Sequence, residues 1–153
     1  MRNPKTKSLA VACDGVAAIE FALVAPLFLA LVFGSIEYGR LLWTQQALQQ
    51  AATAGARCMA VAQGAIQSSV CASGGSYSAS STKSQIESIA SGWGLSVQDS
   101  DITLDNAATC GGATGFSQVT ITNNFKTPIP QIVQLASSGT ALTATACYPN
   151  NPF

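Results

Sequence analysis

From Val16 to Ile36 the chain is an apolar run of 21 residues whose only charge is Glu20. At about 1.5 Å per residue, such a run in helical form matches a hydrocarbon core about 30 Å thick, so the sequence predicts one membrane-spanning helix. Arg2, Lys5 and Lys7 precede the run against a single Asp14. By the positive-inside rule this predicts a cytoplasmic N-terminus and places everything after Tyr38 on the outer side. Tyr38 and Trp43 then fall where an aromatic belt is expected. A carboxylate inside lipid costs a few kcal/mol, which makes Glu20 a functional candidate that calls for a cationic partner. Were the chain cut after Gly15, the new amine of Val16 would lie one helical turn from Glu20, within reach of the carboxylate of its own or a neighbouring copy. An ordinary cleavable signal peptide has an apolar core of about 7 to 15 residues and no glutamate in it. An unprocessed signal anchor is the other plain alternative.

Composition removes several classes of function. The 153 residues are 48% hydrophobic and 9% charged with zero net charge, which gives no basis for binding nucleic acid. Histidine is absent, so the commonest general base is missing, and there is no phosphate-binding glycine loop or metal-type Cys/His spacing. No enzyme activity and no cofactor are expected. A serine hydrolase would need a Ser-Lys pair, and neither Lys83 nor Lys126 carries the accompanying motif.

The stretch Gly15-Val16-Ala17-Ala18-Ile19-Glu20-Phe21 resembles the cleavage site of type IV prepilins, in which a membrane peptidase cuts after the glycine and a glutamate stands fifth in the mature chain. Glu20 to Leu27, Gly34-Ser35-Ile36-Glu37-Tyr38-Gly39-Arg40, Ala51-Ala52 and Gly55-Ala56-Arg57 are similar to the TadE-like pseudopilins of tight-adherence (Flp pilus) systems. A fainter likeness covers Val119 to Thr122, Phe125 to Pro130 and Thr140 to Ala146. The resemblance implies an α+β, type IV pilin-like lollipop, with a long N-terminal helix packed at its outer half on a small antiparallel sheet head. It divides the chain into a leader at 1–15, a membrane and protruding helix at 16–62 and a periplasmic head at 63–153. It also implies processing between Gly15 and Val16 by a prepilin peptidase, an assembly role for Glu20, and partners among the membrane, other pilins and the inner-membrane pilus machinery. The chain is too long for the small major pilin of such systems, so a minor role is expected.

Helical signal continues past the span. From Trp43 to Ala62 there is no proline; Gln45, Gln46, Gln49, Gln50, Thr53 and Arg57 predict a polar face, and Ala47, Leu48, Ala51, Ala54, Cys58 and Val61 the opposite one. One helix from Val16 to Ala62 is expected, with Glu37 and Arg40 as an exposed pair on it. Ala18 with Ala22 and Ala30 with Gly34 set small residues four apart, a spacing that lets helices approach closely in lipid.

In the head, residues 64 to 81 read as a loop, Thr82 to Ser91 as a short helix ending at Gly92-Trp93-Gly94, and Ser96 to Leu104, Phe116 to Asn124 and Ala141 to Tyr148 as strands. A helical turn or two is expected between Ile129 and Leu135. Trp93 reads as closing a small core. A head of this size buries little, and Cys58, Cys71, Cys110 and Cys147 all fall on the oxidising side, whereas Cys13 lies alone on the other. Four cysteines allow three pairings. Cys58 with Cys71, tying a loop to the long helix, and Cys110 with Cys147, tying an interstrand loop to the last strand, are the favoured ones. Asp99, Asp101 and Asp105 lack EF-hand spacing and read as a solvated face rather than a calcium site. A different class of function, an uncleaved membrane-anchored binding module, shares all these features except removal of residues 1 to 15.

Overall fold

The computed structural model describes residues 11–64, 70–127 and 140–150, with side chains from Gly15 onward. The turn expected between Ile129 and Leu135, most of the leader and the side chain of Cys13 lie outside the described residues. The fold is α+β: one long N-terminal helix followed by a small head built on an antiparallel sheet. The chain falls into two units, Met1–Tyr38 and Gly39–Phe153.

Helix α1 covers Val11–Gln63 and contains Pro26. It starts before Val16, so the backbone is already helical through Gly15. In the first unit its large apolar side chains, from Val16 and Ile19 through Phe33 and Ile36, are exposed. Among the described residues nothing covers them, and α1 is long and apolar enough to cross a membrane.

The second unit opens with the rest of α1. Its buried face is Ala47, Leu48, Ala51, Ala52, Ala56, Met59 and Ala60. Ala54, Cys58 and Val61, expected in the apolar face, are only half-buried at its rim. The real stripe passes through Gly55 instead: a Cβ there would stand 2.6 Å from Cδ1 and Cγ1 of Ile86 and 3.6 Å from Cγ2 of Val119. Only a residue without a side chain lets α1 come this close to its neighbours.

After α1, β1 (Ala72–Ser73) and β2 (Ser76–Tyr77) form a minimal hairpin. Its turn residues Gly74 and Gly75 both have positive φ, 62° and 80°, as tight hairpin turns require. Helix α2 spans Ala79–Gly92, three residues earlier than the sequence suggested. The serine run that reads as loop supplies its N-cap: Ser78 Oγ accepts the N–H of Ser81 at 3.3 Å. At the other end Leu95 N–H bonds to Ala90 O and Gly94 N–H to Ser91 O, with Gly94 at φ 78°. These are the two bonds of a Schellman stop, and they make Trp93 the C-cap.

The main sheet has the order β3-β4-β5, with β3 Ile102–Cys110, β4 Ala113–Asn124 and β5 Ala141–Pro149, all antiparallel. Strand β3 begins six residues later than expected. Gln98 to Asp101 is occupied by a 3-10 turn, held where the Asp101 carboxylate accepts the Gln98 N–H at 3.1 Å. The β3–β4 register shifts between Asp105 and Ala108, where Asp105 Oδ1 accepts the Ala107 N–H. That bulge breaks the alternation by which a strand is recognised. On β4 and β5, Ser117, Val119 and Ile121 and then Leu142, Ala144 and Ala146 point to the core. The opposite face is open to water, where Thr120 and Thr145 pair through their hydroxyls at 3.2 Å.

The head is stapled twice. Cys58–Cys71 joins α1 to the chain entering β1, with Cα atoms 5.8 Å apart, and Cys110–Cys147 has Cα atoms 6.5 Å apart. Cys110 is the last residue of β3 and not part of a loop. Its bridge to β5 passes over the intervening strand at Gln118, whose amide lies 3.5 Å from Cys147 Sγ.

Candidate processing and assembly segment

Gly15, Val16 and Glu20 lie in the first unit on consecutive turns of α1. All three are exposed, as are Val16 to Val24 around them. Glu20 is therefore a single carboxylate on a surface otherwise made of Val16, Ile19, Phe21, Leu23 and Val24. A helix advances about 6 Å over four residues, so the peptide nitrogen of Val16 and the Glu20 side chain occupy adjoining turns on one face. A free amine at Val16 can be met by a carboxylate from that face. In a low-dielectric setting such a pair is favourable when each charge meets the other and costly when either is left alone.

The second unit contributes features that the sequence did not reveal. Gln45 and Gln49, assigned to a solvated face, donate their side-chain amides to the carbonyls of Thr143 and Thr145, each at 3.2 Å. The match is metrical: four helical residues advance about 6 Å and two strand residues about 6.6 Å. These contacts occupy the outer edge of β5. The signal was present as an i, i+4 glutamine pair and an i, i+2 threonine pair, but only the fold shows that they meet.

Glu37, expected on an exposed face, is buried. Arg40 places its guanidinium carbon 5.6 Å above the centre of the Phe125 ring, within cation–π range, and its carbonyl accepts the Thr44 hydroxyl. Trp93 is outside the core cluster. Its ring packs edge-on against Trp43 with centroids 5.3 Å apart, and both rings remain substantially exposed.

Ser117, a fully buried polar residue of β4, is held by Gln63 and Asn150, and Asn150 reaches on to Asn106 O at 2.7 Å. Tyr77 donates its hydroxyl to Met59 Sδ; burial pushes that hydroxyl above its usual pKa, with a hydrogen bond from Thr82 opposing the shift. The carboxylates of Asp101 and Asp105 accept backbone N–H groups, and Lys83 Nζ donates to the main-chain carbonyl of Asp99 at 2.8 Å. Among the described residues no three metal-ligating side chains gather.

No curated protein and no solved structure matches the chain. A family model described as TadE-like protein matches residues 15–57. The matched segment contains Gly15 and Glu20, the whole apolar run, the edge-covering Gln45 and Gln49, and Gly55 at the close approach to Ile86. Residues 15–57 are thus similar to the TadE-like family, which suggests involvement in Tad pilus assembly.

Proposed function

We propose that the protein is a minor pilin or pseudopilin needed to assemble an adhesive Flp-type pilus. It is made with a cytoplasmic leader, held in the inner membrane by α1 with its head in the periplasm, and cut between Gly15 and Val16 by a prepilin peptidase. The observation that carries this is Glu20 standing exposed on the apolar surface of α1, one turn beyond the Gly15–Val16 bond. Such a carboxylate has no use in a passive anchor and is costly there. As α1 leaves lipid for a bundle of like helices, Glu20 attracts the Val16 amine of a neighbouring subunit and sets the axial register. No catalysis is asked of the chain.

The test is the intact mass and N-terminal sequence of the protein from native membranes under non-reducing conditions. A chain beginning at Val16 supports processing. A chain still beginning near Met1 favours the uncleaved, membrane-anchored binding module instead. With processing established, Glu20→Ala is expected to impair pilus formation while leaving the head folded; normal pilus numbers with that variant would remove Glu20 from assembly.

A further inference from the structure

We propose that the Cys110–Cys147 bridge is a thiol–disulfide exchange site that a dithiol opens in the folded head, with attack at Cys147 Sγ and Gln118 holding the departing Cys110 thiolate. All four bridged cysteines belong to the second unit, yet their surroundings differ. Cys147 is exposed on the water-facing side of β5, and Cys110 is half-buried at the end of β3. In the other bridge Cys58 is half-buried and Cys71 is fully buried. Exchange needs a thiolate to reach one sulfur and a second sulfur able to leave with the negative charge. Cys71 Sγ is closed to attack. Attack at Cys58 would release the Cys71 thiolate into a place without water, where burial makes a thiol hard to ionise and a poor leaving group. At Cys147 the approach is open, and the charge is released onto a sulfur that has a donor beside it.

That donor is Gln118. It stands on β4 between the two bridged strands, as the Cα partner of Cys147. Its Nε2 lies 3.5 Å from Cys147 Sγ and 3.9 Å from Cys110 Sγ. A disulfide sulfur is a weak acceptor, so such contacts are long; a thiolate is a strong one, and the same amide can close on it as charge develops. Loop length would order the two bridges the other way, since 37 positions separate Cys110 from Cys147 and 13 separate Cys58 from Cys71. Access to sulfur and a place for the charge decide which opens first.

One thiolate of the dithiol attacks Cys147 Sγ, the S–S bond breaks, and its electron pair leaves on Cys110 Sγ. The product is a mixed disulfide on Cys147. The second thiol of the reductant, on losing its proton, attacks the reductant's own sulfur in that mixed disulfide and expels the Cys147 thiolate. The dithiol is oxidised to a disulfide, the bridge is reduced, and the two protons of the dithiol end on Cys110 and Cys147. A dithiol is needed because β3 and β5 both stay paired to β4. Cys110 therefore remains beside Cys147 and takes back any mixed disulfide that has no second thiol of its own to resolve it. Opening removes the covalent tie between the two outer strands and leaves the sheet.

The test is timed reduction of the full chain in detergent micelles with dithiothreitol, Cys13 having first been blocked with N-ethylmaleimide. Samples are alkylated with iodoacetamide and the cysteines mapped by mass spectrometry. Cys110–Cys147 is expected to open about tenfold or more faster than Cys58–Cys71, and urea below the unfolding transition is expected to speed only Cys58–Cys71. Glutathione at the same thiol concentration should open Cys110–Cys147 several-fold more slowly than dithiothreitol does. Gln118→Leu should slow that opening about threefold to tenfold and leave the Cys58–Cys71 rate unchanged. Equal rates for the two bridges, or Cys58–Cys71 opening first, overturn the proposal, as does a Cys110–Cys147 rate that rises with urea in step with unfolding. Equal opening by glutathione overturns the need for a dithiol, and an unchanged rate in Gln118→Leu overturns the part assigned to Gln118.

Discussion

Gly55 offers the sharpest test of how α1 is seated on the head. In Gly55→Ala the new Cβ meets Ile86 Cδ1 and Cγ1 at 2.6 Å, a distance that real carbon contacts do not reach. Ile86 is fully buried, so either its side chain changes rotamer within the core or α1 and α2 move apart. Overpacking of this kind costs about 1 to 3 kcal/mol. Against it, alanine is about 1 kcal/mol better than glycine inside a helix. The net expectation is destabilisation by roughly 0 to 2 kcal/mol, a range too wide to be decisive by itself. A double-mutant cycle with Ile86→Ala isolates the clash, because that change removes both offending carbons. In the Ile86→Ala background Gly55→Ala should stabilise by about 1 kcal/mol, giving a coupling of about 1 to 3 kcal/mol between the two sites. The assay is urea unfolding of the full chain in detergent micelles with disulfides intact, followed by tryptophan fluorescence. Equal effects of Gly55→Ala in both backgrounds would refute the close approach as the reason for the glycine.

Replacing Gln45 and Gln49 together by alanine should uncover the Thr143 and Thr145 carbonyls and leave β5 as an open edge; concentration-dependent self-association by light scattering is the expected result, and a monodisperse double variant would contradict it. The two disulfides close segments separated by 13 and 37 residues, for which loop entropy gives about 3 and about 4 kcal/mol. Removing Cys110–Cys147 with paired serines should therefore cost about 1 kcal/mol more than removing Cys58–Cys71 in the same way, and the reverse order in denaturant midpoints would show that closure entropy is not the controlling term.

The parts of the fold legible in the sequence were those governed by local pattern. The long helix, β4 and β5 follow from an apolar run without breakers and from alternation of Val119, Ile121, Leu142 and Ala144 with threonines. Strand β3 was misplaced because Asp105, Asn106 and Ala107 have low strand propensity and sit on a bulge. The start of α2 was missed because serine favours both loops and N-caps, and only the Ser78 geometry distinguishes them. Gln45, Gln49 and Trp93 were assigned by residue type to solvent or core, yet each is placed by a residue 50 or more positions away. At the candidate site, Gly15 and Glu20 are five positions apart on either side of Val16 to Ile19, so their relation needed no tertiary information.

The glutamine contacts between α1 and β5 join residues separated by 98 and 96 positions. They impose an order in time. During synthesis Gln45 and Gln49 of α1 are made 98 and 96 residues before the β5 threonines they meet. Until Ala141–Pro149 is delivered, the Gln45 and Gln49 amides lack their carbonyl partners and β4 is paired with β3 alone. The head thus completes only when β5 has been made, after a loop of 96 residues has closed. A ribosome stalled before Ala141 would leave the helix in place beside an unfinished and adhesive sheet, the state in which a chaperone has most to do.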